Sequence, residues 1–192
     1  MSAEPLQILI YVSRILDDLE IPYLTGGSIA SSIFGIPRAT QDIDLVIDIP
    51  SSKTKGFVLA MQQKFYIDSD AVTRAVQTRS SFNAIHLETV QKIDFFICGQ
   101  DDYASEEMRR RLHVAVDEAE QQKICIASPE DIILQKLLWF KMGSRISERQ
   151  WNDTLGVIKV QSGRLDREYL IRWARVLDIT DLVQKAFIDA EQ

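Results

Sequence analysis

The chain has 192 residues, 46% of them hydrophobic and 26% charged, with a formal net charge of −6. This composition supports a globular core in one ordinary domain or two small ones. The acidic balance argues against a general nucleic-acid coat protein, which needs an overall basic field, but leaves room for a local basic groove.

The N-terminal stretch "MSAEPLQILIYVSRILDDLE" has no basic leader and no long apolar run. It predicts neither a signal peptide nor a membrane span, and the expected compartment is the cytoplasm. Cys98 and Cys125 lie in apolar segments at a spacing that fits no zinc motif, so two buried free thiols are expected. Leu6, Leu9, Ile10, Val12, Ile15 and Leu16 recur at helical spacing, which predicts a helix over about 4–19. "IPYLT" reads as a short strand broken by Gly26-Gly27. Ser28 to Phe34 reads as a short helix stopped by Gly35 and Pro37.

From Gln41 the period changes to two. Ile43, Leu45, Ile47 and Ile49 alternate with Asp42, Asp44, Val46 and Asp48, giving a strand with one apolar and one acidic face. A helix is expected over about 53–64. A hairpin of strands near 71–77 and 82–88, joined by "TRSS", is expected next. "KIDFFIC" reads as a central strand. "DDYASEEMRRRL" is helical and charged, and "HVAVDEAEQQKICIA" reads as two short strands around a turn. Beyond it, Ser128 in "SPED" and Ser147 in "SERQ" are capping-box signals. Helices follow over about 129–142, 148–161, 166–177 and 179–190. The expected fold is α/β (α+β): a mixed sheet flanked by helices over 1–127, then a helical subdomain over 128–192. No linker separates the halves, so they are expected to pack together around a cleft.

On a strand, residues i and i+2 point to one side, so Asp42 and Asp44 place two carboxylates on one face, roughly 7 Å apart. Like charges this close call for a cation, and Mg²⁺ takes carboxylate oxygens together with substrate phosphates. Asp94 in "KIDFF" lies opposite Ile93 and Phe95. If its strand neighbours that of Asp44, three carboxylates share one side of one sheet, as two-metal phosphoryl or nucleotidyl transfer requires. Gly26, Gly27 and Ser28 supply close-approaching backbone N–H groups, a helix N-terminus and a hydroxyl, which suit phosphates. Helix N-capping alone also explains Ser28.

This order of Gly-Gly-Ser, Asp-Ile-Asp and a distant Ile-Asp-Phe resembles the DNA polymerase β-like nucleotidyltransferase superfamily over residues of about 23–98. "GGSIASSIFGIPRATQDIDLVI" is similar to the bacterial and archaeal branch that includes AbiEii/MenT-like toxins. The resemblance implies that Asp42 and Asp44 bind Mg²⁺ or Mn²⁺, that Asp94 completes the catalytic and metal site, and that the Gly-Ser turn holds phosphates. It implies transfer of a nucleoside monophosphate from an NTP to an acceptor, tRNA or protein, in a toxin–antitoxin or phage-defence setting with an antitoxin partner. It also makes Lys136, on the first helix of the second half, a candidate triphosphate contact.

Arg38 in "PRAT" can pair with nearby carboxylates or reach a phosphate. Arg149 and Asp153, four apart on one helix face, suggest a local ion pair. His86 and His113 read as ordinary strand residues. Arg109–Arg111 read as a solvated face or an acidic-acceptor contact. Trp139, Trp151 and Trp173 suit packing between helices. The apolar C-terminal helices leave room for a homodimer. Two alternatives stand beside the enzyme. One is an inactive nucleotide-binding or partner-binding module on the same scaffold. The other is a glycosyltransferase using Asp-x-Asp to hold a nucleotide sugar, which leaves the Gly-Gly-Ser turn and Asp94 without a role.

Overall fold

The alternation from Ile43 onward is what the sheet is built on. In the computed structural model, which describes residues 3–40, 42–117 and 122–191, strand β2 (Ile43–Ile47) alternates between buried and half-buried positions and is the middle strand of seven. In chain order its companions are β1 (Tyr23–Thr25), β3 (Phe65–Ile67), β4 (Ser81–His86), β5 (Lys92–Ile97), β6 (Leu112–Asp117) and β7 (Gln122–Ile126). Their spatial order is β3-β4-β5-β2-β1-β7-β6. β2 runs parallel to β5, and β1 parallel to β7, while the other neighbours are antiparallel, so the sheet is mixed. Gln41, where the expected alternation begins, and residues 118–121, where the turn between two strands is expected, lie outside the described residues.

The chain divides into two compact units. The first comprises residues 1–29 and 39–127 and contains the sheet. Its helices are α1 (Ala3–Asp18), α3 (Ser51–Met61), α4 (Ser69–Thr78) and α5 (Asp102–Arg110). The apolar face of the sheet, with Ile43, Leu45, Ile47, Ile93 and Phe95, is fully or almost fully buried. α3 covers that face through Phe57, whose ring meets Phe95 edge-on at 5.6 Å and Phe82 at 6.1 Å. Such aromatic pairs add about 0.5–1.5 kcal/mol each beyond the burial itself. Leu9, Val12 and Leu16 of α1 complete this core at the spacing that predicted the helix.

α2 (Gly27–Phe34) begins in the first unit, and its residues from Ala30 onward group with the second. The second unit comprises residues 30–38 and 128–192 and is helical, with α6 (Pro129–Met142), α7 (Glu148–Val160), α8 (Arg167–Val176) and α9 (Thr180–Ala190). Gly35 passes directly against α7. A Cβ at this glycine would fall 2.8 Å from the Val157 backbone nitrogen, a contact only hydrogen leaves room for. Both capping signals operate: Ser128 Oγ accepts from the N–H of Asp131 at 3.2 Å, and Ser147 Oγ from that of Gln150 at 3.4 Å.

Two expectations are corrected. The segment near 71–77 is helix α4, not a hairpin strand. Asp68 caps it, accepting hydrogen bonds from the N–H groups of Asp70 and Ala71, while Val72 and Ala75 turn inward together at helical spacing. The strand ahead of β4 in the chain that pairs with it is the short β3, just before that cap. Trp139 is 49% exposed and is not a core residue, unlike the buried Trp173. Cys98 and Cys125 are free and buried. Among the described residues, no helix is long and apolar enough to cross a membrane.

Candidate active site

Side chains paired across neighbouring strands share a face of the sheet. The β2–β5 register sets Ile43 against Ile93, Asp44 against Asp94 and Leu45 against Phe95. Asp44 and Asp94 therefore stand side by side on the face opposite the aromatic core. Both are half-buried, between apolar neighbours whose side chains point the other way. The β4–β5 register adds Asn83 beside Asp94, which extends the polar row to a third strand.

The glycine turn is fastened to this row. The N–H of Gly26 donates to the carbonyl of Asp44 at 3.0 Å. Gly27 has φ +57°, a left-handed conformation, and a Cβ built on it would fall 1.8 Å from Oδ2 of Asp44. The backbone at the start of α2 thus lies against the carboxylate with no space for a side chain. Ser28 follows in the first turn and is buried. A helix N-terminus with a close-approaching glycine backbone is chemically suited to phosphate oxygens.

Lys92 is the residue that the sequence reading missed. It precedes Asp94 by two positions on β5 and so shares its face, and its Nζ lies 2.7 Å from Oδ2 of Asp94. The ammonium pKa is held above its ordinary value first by this hydrogen bond. Partial burial opposes the shift, and the charges of Asp94, Asp42 and Asp44 add to it. One lysine head thus feels all three carboxylates singled out from the sequence.

Arg38 and Lys136 converge on Asp153 of α7. Arg38 donates to its two oxygens from Nε and Nη2, each at 2.7 Å, and Lys136 donates to Oδ2 at 2.8 Å. Lys136 and Asp153 are nearly fully buried. Burial alone would push the Asp153 carboxyl up, but the hydrogen bonds and charges of Arg38 and Lys136 outweigh it and hold the pKa below the ordinary value. Both of these cations reach Asp153 from outside α7. At the head of α6, Asp131 accepts from the Ser128 hydroxyl at 2.6 Å and from the Tyr169 hydroxyl at 2.6 Å. Asp48 reaches Arg79 at 3.2 Å near the end of β2.

A groove of about 470 Å³ runs between α3 and α4, lined by Thr54, Val58, Ser69 and Thr73 among others. Because α3 packs on the Phe95 face, this groove is on the wrong side of the sheet for Asp44 and Asp94.

Carboxylate oxygens are the donors Mg²⁺ prefers, and one or two suffice when phosphates complete its shell. Asp42 and Asp44 are of that donor type, and the Gly27 backbone is cradled against Asp44. Among the described residues, however, no three His, Cys, Asp or Glu side chains are grouped so as to hold an ion together.

No protein-family model matches the sequence, and no curated protein matches it. Solved structures do. An antigenic nucleotidyltransferase-like protein from Paracoccidioides brasiliensis superposes with a TM-score of 0.54 at 20% identity, covering 94% of this chain and 90% of its own. The fold is that of the nucleotidyltransferases. The antibiotic-resistance factor ANT(2'')-Ia, solved with adenylyl-2''-tobramycin, superposes with a TM-score of 0.61 at 13% identity, covering 92% of this chain and 98% of its own. The lincosamide antibiotic adenylyltransferase LnuA, solved with lincomycin bound, gives 0.50 at 15% identity over 80% of this chain and 96% of its own. On this nucleotidyltransferase fold, the parallel β2–β5 pair sets Asp44 and Asp94 side by side.

Proposed function

We propose that the protein transfers a nucleoside monophosphate from an NTP to an acceptor hydroxyl. The observation that carries this reading is the in-register pair Asp44–Asp94, with Gly27 pressed against Asp44 at the start of α2. Asp42 and Asp44 would hold Mg²⁺, or Mn²⁺ in its place, which when bound neutralises phosphate charge. Gly26, Gly27 and Ser28 would receive the β- and γ-phosphates. The acceptor oxygen forms a bond to the α-phosphorus, the bond to the bridging oxygen breaks, and pyrophosphate leaves. With Oδ2 of Asp94 engaged by Lys92, we assign Oδ1 to the acceptor proton. Arg38 and Lys136, the other residues expected to meet the triphosphate, are engaged by Asp153.

The test is NTP binding by the full chain with and without Mg²⁺, repeated with Asp42→Asn and Asp44→Asn. Binding that depends on Mg²⁺ and is weakened in both variants supports the proposal, and equal binding under all conditions ends it. The acceptor screen has three arms. The toxin-like resemblance motivates tRNA and protein, the latter including an antitoxin partner. The two antibiotic-modifying structures motivate small hydroxylated molecules.

One observation favours a second reading. The ion pair that engages Asp94 is compatible with a module that binds nucleotide without turnover. Nucleotide affinity with no pyrophosphate release in any arm would select it.

A further inference from the structure

Resting on the nucleotidyl-transfer reading, we propose that Asn83 recognises the acceptor: its amide holds the hydroxyl next to the one that gives its proton to Asp94, and the acceptor is an uncharged ring polyol with two adjacent hydroxyls. Along β4 and β5 burial alternates. Phe82, Ala84, Ile93 and Phe95 are buried, while Ser81, Asn83 and Lys92 face solvent on the side that carries Asp94. Tyr66 of β3, opposite Ile85 and 64% exposed, extends that open face to the edge of the sheet.

The ladder brings Asn83 as near to Asp94 as a sheet allows. The N–H of His86 donates to the carbonyl of Gln91 at 2.8 Å, and the N–H of Ile97 to that of Ser80 at 2.9 Å. Hydrogen-bonded pairs alternate with the other kind along an antiparallel ladder, so Asn83 and Asp94 form a non-hydrogen-bonded pair, whose side chains stand closest, with Cα atoms about 4.5 Å apart. Asp94 thus stands between Asp44 on β2 and Asn83 on β4. The Gly27 turn lies against Asp44, which sets the phosphate cradle on one side of Asp94 and Asn83 on the other. Attacking and leaving oxygens lie roughly in line in phosphoryl transfer, so the acceptor enters from the side away from the triphosphate, over β4. The Asn83 amide makes no hydrogen bond among the described residues. An amide donates and accepts, and so reads a hydroxyl in either role. The one cation that β2 to β5 place on this face is Lys92, already engaged by Asp94 at 2.7 Å. An RNA acceptor calls for Lys or Arg at its phosphates, whereas an uncharged polyol needs none. Asn83 forms and breaks no covalent bond: the reacting hydroxyl bonds to the α-phosphorus, its proton goes to Asp94, and pyrophosphate leaves.

The experiment follows the amide itself. The full chain, isotope-labelled and loaded with Mg²⁺ and a non-hydrolysable NTP analogue, is titrated with the methyl glycosides of glucose, galactose, mannose and ribose and with analogues of each lacking one hydroxyl. The side-chain amide signal of Asn83, identified by its loss in Asn83→Asp, is read by NMR. At least one glycoside is expected to move it, and removal of one hydroxyl from that sugar to weaken binding by about three- to tenfold, the strength of one neutral hydrogen bond. Asn83→Ala, with its other amide signals in place to show the fold intact, is expected to bind the parent sugar and that analogue alike. A signal that no glycoside moves overturns the inference. So does an Asn83→Ala chain that still discriminates, or an amide that answers only to tRNA. In each of these cases Mg²⁺-dependent NTP binding leaves the nucleotidyl-transfer reading standing, and its absence from the wild type ends both.

Discussion

Gly27 and Asp44 touch so closely that no residue with a Cβ fits between them: the added carbon would lie 1.8 Å from Oδ2 and 2.9 Å from Cβ of the aspartate. Gly27→Ala must therefore push the start of α2 away from β2, and it must hold alanine at φ +57°. The left-handed backbone costs about 1–2 kcal/mol, and the overpacking about 1–3 kcal/mol more. Urea unfolding is expected to show a loss in that combined range. Asp44→Ala in the same chain should restore part of it, because the contact that forces the shift is then relieved.

Asp153 answers two cations, and removing the anion should cost more than removing its buried lysine. Asp153→Ala leaves Lys136 buried without its carboxylate and is expected to cost about 3–5 kcal/mol. Lys136→Met keeps the stem and leaves Asp153 bound to Arg38, so its cost should be nearer 1–2 kcal/mol. Denaturation midpoints of the two variants check the order. Equal losses would mean that the buried charge on Lys136 is not what Asp153 is there to balance.

The same carboxylate makes acid stability predictable in sign. Its pKa in the folded protein lies below the ordinary 3.8. A group depressed on folding contributes stability that is fully present above the unfolded value and is lost as pH falls through the folded one. Stability should therefore drop below about pH 4, with this group contributing to the acid limb. Asp153→Asn should have a shallower limb than the wild type, measured by urea midpoints from about pH 6 to about pH 3.

Burial pushes the Cys98 thiol up to about 11, with the charges of Asp48 and Glu107 adding to the shift. At about pH 8 the thiolate fraction is then on the order of one in a thousand. Native protein is expected to react very slowly with a thiol reagent at this position, and rapidly once unfolded. Fast native labelling of Cys98, read by peptide mass, would contradict the buried placement.

What the sequence disclosed followed local periodicity. The alternation around Asp42 and Asp44 marked β2 and its two faces, and the caps at Ser128 and Ser147 marked α6 and α7 almost to the residue. α4 was misread because "AVTRAVQT" is rich in β-branched residues, which favour strands, while the cap that decides the matter is a single aspartate, Asp68. Lys92 passed unnoticed because a charged residue at the start of a strand is ordinary. Only its distance to Asp94 sets it apart. Arg38 and Asp153 are separated by 115 positions, and no local pattern announces a partner that far away.

The parallel ladder between β2 and β5 has a consequence for how this chain tolerates insertion and deletion. Everything between those strands (α3, β3, α4 and β4) is an excursion that returns to the same rung, so the loops within it can change length without moving that rung. Parity within a strand has no such freedom. Removing one residue inside β5 ahead of Asp94 would turn that carboxylate into the aromatic core and bring an apolar side chain out in its place. The loss of a whole loop elsewhere would do the arrangement less harm.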